Sequence, residues 1–529
     1  MMSETLFQRA CARAHVGMEI AVIAAEVPER MAIYSEHGNL TFAELNRQAN
    51  QVARLLRAQG VKEGDSLALL CGNRPEFSAV RFACHRMGLR LTPVNWHLTA
   101  DEVSYIVDNC DALALFADIR VTPQAQAAIA DNDKLTVKIS IGGDIEGFQP
   151  FAAALQTHSG EDIDDPTLGN MMLYTSGTTG RPKGVLRNHP DPQKAADMQA
   201  ILSAVFQFQP DTGEDCALAT GPLYHAGPFN LCMTTPLTAG ISTVFMDKWE
   251  PEAMLKLIQQ YSITHTFCVP TMFVRLLQLD DAVRGNYDIS TIRFVIHGAA
   301  PCSVETKSAM LDWCGPVIWE MFAGTEGQGT IVSPQEWLEK PGTVGRAAPG
   351  HVMILDDEGS EVNTGSSGTV YLRNPPDSRF TYYKDQEKTA QAQRGEYFTA
   401  GDVGHLDEDG YLFLTGRSAE VIISGGVNIY PQEIDDVLST HQAVADVACV
   451  GVPHKELGEQ VKAVVQLRDN YNADQALAAE LISLCASKLA KQKLPRSVDF
   501  IVELPRSHAG KVQRKALRQT YWQDQQRQI

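Results

Sequence analysis

Apolar and polar positions over the first 170 or so residues follow two alternating periods. Phe42, Leu45, Ala49, Val52 and Leu55 recur at helical spacing behind a Thr41/Glu44 capping box, and Gly60 closes that helix. Ser66 to Cys71 is a short apolar run bounded by Gly64 and Gly72, which predicts a buried strand. Pro75 then opens another helix from its first-turn position. The same strand–helix alternation continues through Ala112–Ala117, Thr243–Met246 and Phe294–His297, predicting parallel sheets covered by helices.

From about Lys340 the pattern changes. Gly342, Gly345, Gly350, Gly359, Gly365 and Gly368 punctuate short runs such as Val352–Leu355 and Thr369–Leu372, predicting an antiparallel, barrel-like piece over 340–415. After Gly416 come the apolar runs Val444–Val450 and Val461–Leu467, a helix over Asp474–Leu489 and a strand over Val498–Val502, a small α+β unit. The expected fold is therefore α/β. Residues 1–416 form a large domain of two α/β subdomains plus the antiparallel piece, and 417–529 form a small second domain.

Composition agrees with this division. At 529 residues the chain exceeds a single core, and 44% hydrophobic with 21% charged residues is ordinary for a globular protein. No stretch approaches the roughly 18 apolar residues that span a bilayer. The run Ile20–Ala25 is short and flanked by Glu19 and Glu26, so it does not read as a signal peptide. A net charge of −19 argues against nucleic acid as a partner. The 11 cysteines are scattered, odd in number and without a CxxC pair, as expected of reduced thiols in a cytoplasmic protein rather than a zinc site. A homodimer is compatible with the sequence.

The strongest local chemistry is Tyr174-Thr-Ser-Gly-Thr-Thr-Gly-Arg-Pro-Lys-Gly184, directly after the strand-like run Met171–Leu173. Small hydroxyl residues and glycines let successive amides converge on an anion, and Lys183 adds a charge. It is not a Walker A loop, because Pro182 precedes the lysine and Gly184, not Ser or Thr, follows it.

This segment resembles the phosphate-binding loop of the adenylate-forming superfamily, which includes acyl-CoA synthetases, peptide-synthetase adenylation domains and firefly-type luciferases. The remaining signatures follow in order: Gly298-Ala299-Ala300-Pro301, Phe322-Ala323-Gly324-Thr325-Glu326, Phe398-Thr399-Ala400-Gly401-Asp402, Gly416-Arg417, Ser424-Gly425-Gly426 through Pro431, and Pro505 through Val512. The resemblance implies that Thr175, Ser176, Gly177, Thr178, Thr179, Gly180 and Lys183 hold the phosphates of ATP. Gly298, Ala299, Ala300, Phe322 and Ala323 would line the adenine, and Asp402 the ribose. Thr325 would contact phosphate, Glu326 would bind Mg²⁺, and Lys511 would bridge the acid's carboxylate and the α-phosphate, with Arg417 beside it. The small domain would be mobile, with a hinge at Ala419–Glu420, where the family usually carries Asp or Lys instead of Ala419. Gly425 and Gly426 would admit the pantetheine arm of CoA. Ala323 and Ala400 also depart from the usual glycine and threonine.

Leu223-Tyr224-His225-Ala226-Gly227-Pro228 resembles the acyl-pocket segment of acyl- and aryl-CoA ligases. The same resemblance adds Phe229, Val269, Phe273, His297 and Phe322. With no lysine or arginine among them, the expected acid is a hydrophobic monocarboxylic one: fatty, alicyclic or aromatic. The expected reaction uses ATP and CoA and releases AMP and pyrophosphate. Rival readings are a ligase loading a carrier-protein thiol, luciferase-like oxidation of the adenylate, a P-loop ATPase or kinase, and a non-catalytic acyl-nucleotide-binding protein.

Overall fold

A computed structural model of the chain describes residues 4–130, 132–175, 181–188, 191–374, 379–424, 427–455, 457–507 and 510–522. Local signals set the early elements. Thr41 Oγ1 accepts from the Glu44 amide at 3.2 Å and Glu44 Oε2 accepts from the Thr41 amide at 2.8 Å, starting the helix Phe42–Ala58. Pro75 occupies the first turn of Pro75–Arg86.

Two eight-stranded sheets dominate. One runs, in spatial order, Gln328–Val332, Ile318–Ala323, Phe294–Gly298, His265–Cys268, Cys216–Ala219, Ser242–Phe245, Met31–Ser35 and Leu40–Thr41. Its six central strands are parallel and the outermost strand at each end is antiparallel. The other is parallel from Asn170–Thr175 through Arg90–Pro93, Ser66–Leu70, Ala112–Asp118 and Val137–Ile141 to Gln149–Pro150. It ends on its other side in the antiparallel strands Lys183–Arg187 and Phe380–Tyr382.

The period-2 rule explains how the sheets are covered. Leu67 and Leu69 face a core shared by both sheets and the helices Phe42–Ala58 and Pro75–Arg86, whereas Ala68 and Leu70 face a separate outer core. On the first sheet Phe294 and Ile296 point into the shared core and Val295 into another outer core. Buried on both faces, these strands carry the near-continuous apolar runs that identify them.

The barrel-like stretch is a seven-stranded antiparallel sheet from Thr343–Arg346 to Tyr411–Arg417, packed on Val185 and Phe380 of the second sheet. After the 3₁₀ turn Ser418–Glu420 a five-stranded sheet begins, built on the long pair Val444–His454 and Gly458–Leu467 and covered by Pro431–Ser439 and Gln475–Lys488. All eleven cysteines are free thiols, nine of them buried. No helix among the described residues is long and apolar enough to cross a membrane.

Candidate active site

The chemistry-bearing segments meet where the parallel strands of the first sheet end. Strand Asn170–Thr175 pairs antiparallel with Lys183–Arg187, Thr175 opposite Lys183, so the phosphate-loop motif is the connection of a hairpin. Ser176, Gly177, Thr178, Thr179 and Gly180 lie outside the described residues. Phe380–Tyr382 pairs with Lys183–Arg187 in turn and places the Tyr382 ring 5.1 Å from Lys183 Nζ. Burial lowers the Lys183 pKa, and the charge of Lys388 pushes it the same way.

Thr325 and Glu326 ride a tight turn between the antiparallel strands Ile318–Ala323 and Gln328–Val332, closed by the Gly324 amide donating to the Gly327 carbonyl at 3.0 Å. Gly329 is required here, since a Cβ would stand 2.2 Å from the Phe322 carbonyl oxygen. Three side chains from elsewhere hold this turn. The Tyr382 hydroxyl donates to Glu326 Oε1 at 3.0 Å, Arg187 Nη2 donates to the Thr325 carbonyl at 3.0 Å, and Asn374 donates to the Glu326 carbonyl at 3.2 Å. Among the described residues no ion pair forms on the Glu326 carboxylate, which leaves a hard oxygen donor available to a cation.

Gly298 ends its strand against the Met321 carbonyl, 2.5 Å from where a Cβ would lie, and Ala299 then takes a left-handed φ of 67°. A left-handed alanine is costly, and such strain collects at functional loops. Ala300 and Pro301 continue this loop beside Phe322 and Ala323 at the end of the next strand.

Asp402 is buried and faces Arg417 across its hairpin, Arg417 Nε donating to Oδ1 at 3.0 Å. Burial works against the Arg417 charge, but Asp402 outweighs it and the pKa is raised. Lys511 enters this cluster from the C-terminal unit. Its side chain stays open to solvent; partial desolvation lowers its pKa first and Arg417 lowers it further, against opposition from Asp402, Glu326 and Glu420. His225 lies close enough for Lys511 to act on it. Burial pushes the His225 pKa down to about 4, with Lys511 and then His97 contributing, so the ring is neutral near pH 7. Its Nε2 is buried and has no hydrogen-bond partner among the described residues.

The acyl-pocket residues do not all converge. Phe273 and His297 pack on each other at 5.2 Å in the outer core, on the opposite face of the first sheet from Ile296. His297 stands opposite Glu320 in the neighbouring strand, which also binds the buried Lys307 at 2.7 Å. Strand alternation sends His297 away from the Ile296 face, so Phe273 sits in the outer core and His297 beside the Glu320–Lys307 network. Phe229, on the π-helical turn Pro228–Thr234, meets Phe77 edge-on at 6.2 Å and lies under Arg81 at 5.4 Å. Val269 and the half-buried Trp319 and Met321 do border the shared-core face, and the sequence reading had not singled out the latter two.

At the expected hinge, the Ser418 amide donates to the Gly401 carbonyl at 2.9 Å while Glu420 pairs with Arg514 of the C-terminal helix at 3.1 Å. Ala419 is the one residue between these two anchors. Gly425 and Gly426 lie outside the described residues; the flanking Ile423 and Val427 are exposed.

Comparison with known proteins places the whole chain in one family. Residues 20–383 match the family model of the AMP-binding enzyme, and 433–511 that of the AMP-binding enzyme C-terminal domain. The chain is 32% identical to an indoleacetate–CoA ligase of Aromatoleum aromaticum over 96% of each protein. It is 31% identical to the fatty acid–[acyl-carrier-protein] ligase ScoC of Streptomyces coeruleorubidus, again over 96% of each. Among solved structures, an ATP-bound RpMatB-BxBclM chimera superposes with a TM-score of 0.84 at 29% identity, covering 97% of this chain and 99% of that one.

Proposed function

This chain belongs to the AMP-binding enzyme family and is an ATP-dependent acid–thiol ligase, and from that premise we propose that it activates a hydrophobic monocarboxylic acid and transfers the acyl group to CoA. The observation that carries this reading is the seating of the Lys511 loop on the large domain, Thr271 donating to the Gly510 carbonyl at 3.0 Å, which brings Lys511 under the charges of Arg417, Asp402 and Glu326. Two anions have to be brought together, and a cation between them offsets their repulsion. A carboxylate oxygen of the acid attacks the α-phosphorus, and the bond to pyrophosphate breaks. The CoA sulfur then attacks the acyl carbon, the bond to AMP breaks, and AMP leaves.

Within that scheme Lys511 holds the carboxylate and the α-phosphate, Asp402 accepts from the ribose hydroxyls, and Thr325 contacts phosphate. Glu326 would hold a Mg²⁺ ion, which when bound offsets the phosphate charge. His225, Val269 and the Met321 face receive the acid's apolar body. The unit from Arg417 onward turns about Ala419 between the half-reactions, bringing the hairpin with Gly425 and Gly426 to the acyl-adenylate.

AMP release across a panel of aliphatic, alicyclic and aromatic acids, with free CoA as acceptor, tests the proposal. Turnover with at least one hydrophobic acid is expected. Adenylation without thioester on CoA, restored by a carrier protein, would instead favour the acceptor used by the Streptomyces relative.

A further inference from the structure

One side chain of the large domain clasps the loop that delivers Lys511. Thr271 lies in the first turn of the helix Pro270–Leu277, just past the strand His265–Cys268. Its hydroxyl accepts from Arg506 Nη1 at 2.9 Å and donates to the Gly510 carbonyl at 3.0 Å. A single hydroxyl thus uses both its donor and an acceptor position on groups of the other domain. Arg506 is itself fixed within the small domain by its ion pair with Asp446.

The loop passes that hold on to Lys511. The Ser507 amide donates to the Lys511 carbonyl at 2.7 Å, the Gly510 amide donates to the Ser507 carbonyl at 2.8 Å, and the Lys511 amide donates to Ser507 Oγ at 3.2 Å. Gly510 has a left-handed φ of 77°, and a Cβ there would lie 3.3 Å from Val269 Cγ2 and 3.4 Å from Thr271 Oγ1. The contact is therefore close as well as hydrogen-bonded, and it is made one residue from the lysine.

We propose that Thr271 is a positioning residue for Lys511, holding the small domain in the orientation that forms the acyl-adenylate. This rests on the reading of Lys511 as the group that bridges the two anions. The clasp spans the two domains, so it breaks whenever the small domain turns away. Its loss weakens one half-reaction and spares the other.

The test is Thr271→Val, which keeps the shape and removes the hydroxyl. Acid-dependent exchange of pyrophosphate into ATP should fall on the order of tenfold, the scale for losing a hydrogen bond to a charged group. Thioester formation from supplied acyl-adenylate and CoA should stay within about twofold or rise, and Thr271→Ser should restore the exchange. An equal fall in both half-reactions, or no change in either, overturns the proposal. Lys511→Ala is the control. If that variant retains full exchange, the reading of Lys511 has failed; if it loses exchange while Thr271→Val does not, only the clasp has failed.

Discussion

At Glu326 two oxygens of one carboxylate have different surroundings. Oε1 accepts from Tyr382, whose ring also lies against Lys183. Glu326→Gln removes a hard donor, so activity at limiting Mg²⁺ should fall and be partly regained at high Mg²⁺. Tyr382→Phe keeps the ring over Lys183 and loses only the hydrogen bond, so a smaller shift in the same direction is expected, about threefold to tenfold. Titrating Mg²⁺ in both variants checks this; a Glu326→Gln enzyme with unchanged Mg²⁺ dependence would show the metal assignment to be wrong.

His265 gives a prediction in pH. It is buried between Phe208, stacked at 4.3 Å, and Phe294 at 5.8 Å, and burial lowers its pKa to about 4. The unfolded chain therefore takes up a proton near pH 6.5 that the folded chain refuses until about pH 4. Stability should fall as pH drops through that window, by up to about 1.4 kcal/mol per unit from this group, and level off below it. Thermal melts of His265→Phe should show a flatter profile over the same range.

At the scale of elements, the alternation of side chains along a strand separates the shared-core face from the outer core. Phe273 is fully buried behind the first sheet, so Phe273→Ala should cost about 3–5 kcal/mol of stability and lower turnover for all acids alike. Trp319 lies on the other face, stacked on Phe294 at 5.2 Å and only half-buried. Trp319→Ala should change the ranking of acids toward bulkier ones, by about 1–3 kcal/mol between neighbours in a series. A panel assay beside a denaturant melt distinguishes the two; an unchanged ranking for Trp319→Ala would place that ring in the core as well.

For the whole molecule, the proposed hinge would let two half-reactions share one site. Ser418 is tied to the large domain and Glu420 to Arg514 of the small one, so the proposed rotation would fall on the backbone of Ala419. Ala419→Pro restricts that backbone. Thioester formation should then slow by at least tenfold while pyrophosphate exchange changes by less, measured on the separated half-reactions. Loss of exchange alone would move the pivot elsewhere.

What the sequence determined by itself was whatever depends on near neighbours. The capping box at Thr41, the proline entry at Pro75, the buried runs such as Ser66–Leu70 and the switch to antiparallel texture near Lys340 are all local, and the elements form where those signals stand. The order of the motifs, each a short string, likewise carried the family. Tertiary structure decided which strand face met which core, because period 2 states that residues alternate without saying which set faces the ligand. That is why the sequence did not show His297 and Phe273 lying on the opposite face of the sheet from Ile296. Tyr382, Arg187 and Thr271 were invisible because their partners lie 56, 138 and 239 residues away, and no local pattern marks a hydrogen bond closed only when the sheets and the two domains come together.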